Sequence, residues 1–390
     1  MIKLAERMSR LGTESAFEVL AKAKALEAKG KEVVHLEIGE PDFDTPDNIR
    51  EAAVKAIWDG YTHYNPAQGI PELRKTIAAI VGEEKGLDVK PEEVVVTPGA
   101  KPIMFFGILA LVDEGDEVVY PNPGFPIYES VIEFVGAKAV PIKLEESKDF
   151  CFDPAELAKV VNPKTKLIIL NSPQNPTGGV LCRDDLEAVA DLAKRNDAWV
   201  LSDEVYGRII YEGEHISIAT LPGMRERTIV LDGYSKTYAM TGWRLGYGIM
   251  PAELAARVTQ IQINATSCTC TFTQVAGIEA IRGDQSDSNK MVEEFKRRRD
   301  VIVDGLNAIP GITCRRPKGA FYVFPNIRQT GMKSQAVSDL LLEKAGVAGL
   351  PGTAFGAFGE GYLRFSYANS VENIKKALDR IEKTLAAATK

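Results

Sequence analysis

The stretch LIILNSPQNPTGG, residues 167–179, decides the fold: a short apolar run rich in isoleucine and leucine breaks abruptly into polar and turn-forming residues. The same order recurs in WVLSDEVYG (199–207) and TIVLDGYSK (228–236). Continuous apolar runs of this length are expected of strands covered on both faces, as in a parallel sheet flanked by helices. Working outward, the candidate strands are Glu93–Thr97, Glu117–Tyr120, Leu167–Leu170, Ala198–Ser202 and Thr228–Leu231, with helical patterns such as Lys101–Val112 and Arg183–Arg195 between them. Strands alternating with helices imply an α/β fold with a mostly parallel sheet. In such sheets ligands gather beyond the carboxyl ends of the strands, where these stretches turn polar.

The chain ends follow a different pattern. Ser15 and Glu18 have capping-box spacing before a helix expected to run to about Lys29 and stop at Gly30. Beyond residue 285, two long amphipathic helices near Asn289–Ala308 and Val371–Ala387 enclose candidate strands Ala320–Phe324 and Tyr362–Ser366. With 390 residues, the chain exceeds the size of a typical single core. The expected division is a small α+β domain from residues 1–45 and 285–390, and a large domain from 46–284.

A net charge of -7 argues against a phosphate backbone as partner, because nucleic-acid binding normally shows a basic surface, so small molecules are the expected partners. The basic run Lys296–Arg299 lies beside Glu293 and Glu294 and reads as a solvated helix face. Five cysteines in an odd, unpaired arrangement suggest neither a disulfide framework nor a metal site, and Cys268 and Cys270 read as small residues lining a buried segment. His35, His63 and His215 are scattered and receive no role. No apolar run is long enough for a membrane span and the first residues lack a secretion signal, so a reducing cytoplasm is the expected setting.

Taken singly, the polar residues after the strands have ordinary explanations: Asn175-Pro-Thr-Gly as a turn, Asp203 as a helix cap, Lys236 as a surface lysine. Together they place an amide, a carboxylate with Tyr206 three residues later, and a lysine with Arg244 eight residues later at the ends of successive strands. With IGEPDFDTP (38–46), YNPAQGIPELR (64–74), GAFYVFP (319–325) and LRFSYA (363–368), this ordered set resembles the class I and II aminotransferases. These are pyridoxal-phosphate (PLP) enzymes of fold type I, and the resemblance, spanning nearly the whole chain, is closest to the bacterial aspartate aminotransferase branch.

The resemblance implies the site residue by residue. Lys236 matches the lysine that holds PLP as a Schiff base and then shuttles a proton. Asp203 matches the carboxylate facing the pyridine nitrogen, and Tyr206 and Asn175 match the partners of the ring's phenolic oxygen. Arg244 matches the phosphate arginine, assisted by the turn at Ala100 and Lys101, which opens a helix N-terminus. Ser235 offers a hydroxyl, although the family's phosphate serine lies two positions earlier, where this chain has Gly233. Tyr64 matches a tyrosine reaching the phosphate of a neighbouring subunit, which implies a homodimer with shared active sites.

For substrate, Arg364 matches the α-carboxylate arginine, with help from Asn175 and the backbone at Gly39. Phe125 stands where the family stacks an aromatic ring on the cofactor; aspartate-specific members usually have tryptophan there, so an indole N–H is missing. Lys101 matches a lysine that binds a distal carboxylate in bacterial aspartate enzymes. The expected activity is ping-pong transfer of an α-amino group from an aspartate-like donor to a 2-oxo acid such as 2-oxoglutarate. Alternatives are an alanine or aromatic aminotransferase, a β-lyase, decarboxylase or oxidase on the same fold, and a non-catalytic ligand-binding regulator.

Overall fold

The computed structural model describes residues 2–388. Thirteen strands follow in chain order: β1 Val34–His35, β2 Val94–Thr97, β3 Glu117–Asn122, β4 Lys138–Glu145, β5 Cys151–Phe152, β6 Thr165–Asn171, β7 Trp199–Asp203, β8 Thr228–Gly233, β9 Gly246–Ile249, β10 Tyr322–Val323, β11 Val347–Ala348, β12 Leu350–Pro351 and β13 Leu363–Ser366. Eight of them form one sheet in the order β2-β9-β8-β7-β6-β3-β4-β5. The run β8-β7-β6-β3-β4 is parallel throughout. Its inner members are apolar and buried along most of their length, as double coverage by helices requires.

Strand β9 escaped the sequence reading. It lies antiparallel between β2 and β8 and consists of Gly-Tyr-Gly-Ile. Glycine weakens a strand signal, but a Cβ at Gly246 would stand 2.3 Å from the backbone nitrogen of Ala100, and one at Gly248 would stand 2.7 Å from Ile103 Cγ2. The close approach of the β2 turn and its following helix, Lys101–Leu111, demands the glycines that hide the strand.

The chain ends meet as β1 pairs parallel with β11, and β10, β13 and β12 form an antiparallel sheet. Val34 and Leu36 share one core with Phe295, Ile302, Phe365, Ile374 and Ile381. The same core takes in Tyr206, Ile209 and Tyr211 from the segment after β7, so packing is continuous between the small sheet and the large one.

Three local expectations fail for identifiable reasons. Ser15 precedes the helix Ala16–Glu27, yet its backbone is already helical and its side chain makes no capping bond. The helix itself ends at Glu27, close to the expected Lys29, and the chain turns out through Gly30 at φ 82° as expected. Only half of the basic run is a solvated face: Lys296 and Arg297 are exposed, but Arg298 and Arg299 are buried, Arg298 between Asp42 and Glu294 and Arg299 between Glu212 and Asp300. Cys270 is exposed and Cys268 half-buried, while Thr269 between them is buried. No helix among the described residues is long and apolar enough to cross a membrane.

Candidate active site

A cavity of about 510 Å³ opens where β6, β7 and β8 end, and it gathers residues from across the chain. The in-register pairing of Asn171 with Asp203 and of Asp203 with Leu231 aligns the three strand ends. The polar residues that follow them are thereby delivered to one side of the sheet. Gly39, Ala100, Lys101, Phe125, Asn175, Asp203, Tyr206, Ser235, Lys236, Arg244 and Arg364 all line the cavity. Tyr64 does not: it is 91% exposed and stands apart in a shallow depression with His63, Cys268 and Cys270.

Lys236 follows β8 on a single helical turn, Tyr234–Thr237, and its ammonium donates to the carbonyl of Gly39 at 2.5 Å. Burial pushes its pKa down to about 8. A lysine amine attacks an aldehyde only as the free base, so burial prepares this one as a nucleophile near neutrality. In apo protein, the rate at which Lys236 condenses with an aldehyde should rise about tenfold per pH unit below pH 8 and level off above it. Stopped-flow absorbance checks this, and a flat profile between pH 6 and 8 would contradict a buried, titrating amine.

Asp203 is buried at the end of β7. Burial raises its pKa to about 6, against the opposing pull of hydrogen bonds from Tyr128 and from the Val205 backbone N–H. The Tyr128 hydroxyl donates to Asp203 Oδ2 at 2.5 Å, and burial raises the phenol's own pKa well above its ordinary value, keeping it a donor. Tyr128 also meets the Phe125 ring edge-on at 5.6 Å between centroids, so one side chain braces both the carboxylate and the aromatic wall. The stretch NPGFPIY contains both, but only Phe125 carried a recognisable signal; the tyrosine's link to Asp203 spans 75 residues and is set by the fold.

Arg364 on β13 is buried and has no carboxylate partner among its hydrogen bonds. Its Nη2 donates to the Glu37 carbonyl and its Nη1 to Asn175 Oδ1 at 3.3 Å, while Nε has no partner. Tyr322 and Phe355 stack on it, with its central carbon 4.6 and 4.9 Å from their centroids. Burial lowers its pKa, the mark of a guanidinium short of compensating charge. A planar, buried cation with an open N–H fits a substrate carboxylate. The Tyr322 hydroxyl bonds to that of Tyr206 at 2.7 Å and leaves no space for a side chain at Gly39, where a Cβ would stand 2.0 Å from it. Sequence reading gave Tyr322 no role, since nothing local joins it to Tyr206.

The residues present fit PLP. At Gly99, φ is +87° and a Cβ would stand 2.3 Å from Arg244 Nη2, so the guanidinium lies directly against the turn that opens helix Lys101–Leu111. A cation packed on a helix N-terminus is a phosphate cradle. A depressed lysine, a buried carboxylate, an aromatic wall and an anion cradle in one cavity define a PLP-dependent transaminase of fold type I.

Comparison with known proteins bears this out. Residues 31–381 match the family described as aminotransferase class I and II. The chain is 42% identical to an aspartate aminotransferase of Pyrococcus horikoshii, covering 98% of this chain and 97% of that one. It is 40% identical to the aromatic-amino-acid aminotransferase 2 of Thermococcus litoralis, covering 98% of each. Among solved structures, the Thermus thermophilus aspartate aminotransferase with maleate superposes with a TM-score of 0.93 at 39% identity, covering 98% of this chain and all of that one. The chain belongs to the class I and II aminotransferase family, and its cofactor is PLP.

Proposed function

We propose that this aminotransferase takes an aspartate-like amino donor and passes its amino group to a 2-oxo acid such as 2-oxoglutarate by a ping-pong scheme. The observation that carries this reading is that the Lys101 ammonium lines the same cavity as Arg364, giving one cation for each end of a dicarboxylate. Support also comes from the similar Pyrococcus aspartate aminotransferase and from the dicarboxylate, maleate, with which the similar Thermus enzyme was solved. The bonded PLP supplies an electron sink for the bond broken at the substrate α-carbon.

The chain's own residues do the rest. Lys236 moves the proton, and Asp203 holds negative charge against the pyridine nitrogen. Asp203 would be ionised beside a protonated ring nitrogen, because an opposite charge nearby offsets the burial that raises its pKa. Tyr206 and the amide of Asn175 would steady the ring oxygen of bound PLP, Phe125 would cover the ring, and Gly39 would contribute backbone to the substrate site. Arg244, Ser235 and the N–H groups at Ala100 and Lys101 hold the phosphate. Tyr64, exposed in one chain, reaches the phosphate of a second copy in a homodimer with shared sites. We assign the small domain to residues 1–45 and 285–390 and the large one to 46–284, with a cytoplasmic location.

Lys101→Ala is expected to raise KM for aspartate about tenfold, the worth of roughly 1.4 kcal/mol for one charged hydrogen bond, and to leave alanine unchanged. An equal effect on both would contradict a side-chain contact. A panel of common amino acids assayed with 2-oxoglutarate tests the donor class as a whole. Preference for alanine or an aromatic donor would replace the acidic assignment, and release of pyruvate or carbon dioxide by amino acid alone would replace transamination.

A further inference from the structure

Lys101 already has an anion. Glu14 Oε1 accepts a hydrogen bond from its ammonium, and Glu14 lines the same cavity together with Ala16 and Phe17. The other lining carboxylates are committed elsewhere: Asp203 bonds to Tyr128, and Glu40 accepts from Thr241. Glu14 therefore stands where the reading of Lys101 puts the distal carboxylate of a dicarboxylic substrate. From this we infer that Glu14 is an intramolecular stand-in for that carboxylate and a determinant of substrate range.

This inference rests on Lys101 as the distal-carboxylate residue, and it adds how one pocket handles unlike side chains. With the pair closed, the ammonium is neutralised beside Phe125, whose ring centre lies 5.2 Å from Lys101 Nζ. A neutral side chain then meets an apolar wall and no bare cation, whose desolvation would be costly. With the pair open, the ammonium takes the substrate's own carboxylate, and one anion replaces another.

The segment carrying Glu14 is built for such an exchange. The preceding short helix, Glu6–Arg10, buries none of its residues. The segment's tethers to helix Ile127–Phe134 are Arg10 to the Phe134 carbonyl at 3.4 Å and the Gly12 backbone with Ser130 at 2.9 and 3.4 Å. Phe17 at the rim is 63% exposed. Lys101 is 48% and Glu14 21% exposed, so their attraction is partly screened and of a size that a substrate carboxylate can match.

The test compares PLP-loaded wild type, Glu14→Gln, Lys101→Ala and the double variant, by calorimetric binding of maleate and by KM for aspartate and alanine. Glu14→Gln should bind maleate about fivefold tighter and lower KM for aspartate by a similar factor, with KM for alanine not lowered. In the Lys101→Ala background the Glu14 substitution should have no effect on maleate. Unchanged or weaker maleate binding by Glu14→Gln, while Lys101→Ala still weakens it, overturns the stand-in and leaves the role of Lys101 intact. Maleate binding equal in wild type and Lys101→Ala overturns the role of Lys101 and the inference with it.

Discussion

Lys236→Ala protein is expected to bind PLP without a covalent bond, so that borohydride fixes nothing at position 236, and to lose at least about 10⁴-fold in kcat/KM. That figure is the upper part of what a positioned general base contributes on its own, about 10²–10⁴-fold, and losing the covalent anchor adds to it. The substitution should leave folding intact, because the lysine's hydrogen bond to the Gly39 carbonyl is one contact at a cavity wall and its burial opposes its charge. Spectrophotometry, borohydride trapping and steady-state kinetics on the purified variant check both halves. Turnover within tenfold of the parent would remove Lys236 from the chemistry.

Lys85→Met is expected to have the largest effect on stability, although Lys85 does not line the active cavity. Its ammonium is buried between Glu204 at 2.8 Å and Asp232 at 2.9 Å. Burial alone would lower the pKa of Lys85, yet the two carboxylates outweigh it and raise it well above the ordinary lysine value. Burial likewise would raise Glu204, but Lys85 and then His215 hold it well below the carboxylate range. Ser202 and Ser217 complete the shell, donating to Glu204 Oε1 at 2.9 and 2.7 Å.

Removing the cation leaves two largely buried carboxylates without their counter-charge, a loss of about 3–5 kcal/mol. Glu204 titrates below its unfolded pKa, so its share of stability is full at neutral pH and fades only as acid carries the pH down toward the depressed value. Lys85, with a raised pKa, keeps its share until strong alkali. The deficit of the variant should therefore be present in full at pH 7 and shrink below about pH 4.5, where unfolded glutamate begins to protonate. Denaturant unfolding across that range measures it, and a difference below about 1 kcal/mol at pH 7 would contradict the account.

The same substitution carries a catalytic signature. Asp203 and Glu204 are neighbours at the end of β7, and the charges of Asp232 and Glu204 both push the Asp203 pKa upward. Without Lys85 they push harder, so the acid limb of the pH–rate profile should move to higher pH. Lys85 would thus act at a distance, by offsetting two neighbouring anions whose charge otherwise raises the pKa of Asp203.

Much of the site was legible because its chemistry sits where apolar strands break off. Asp203 ends β7, Asn175 and Lys236 follow β6 and β8, and each is flagged by the change from β-rich to polar residues. The residues that escaped notice lie on no such boundary. Tyr128 sits on a helix, Tyr322 inside a two-residue strand, Glu14 in a surface loop and Lys85 at the end of a four-residue helix. Arg298 and Arg299 misled the reading for a related reason: a basic run looks solvated until one knows that Asp42 and Glu212, far away in the chain, are folded against it.

The amino-acid order by itself determined most of the segments that become strands and helices, that most of the sheet is parallel, and where polar residues gather at the strand ends, while the roles proposed for those residues came from the ordered motifs shared with the aminotransferase family. Those structural features follow from local rules, the burial of apolar runs and the habits of turns, which act over a few residues. The tertiary structure alone decided the antiparallel strand made of glycines, the hydroxyl on Asp203, the ammonium between Glu204 and Asp232 and the carboxylate on Lys101. Each joins groups from separate segments of the chain, and whether such charges and donors meet depends on how the layers pack, which no short stretch of sequence encodes.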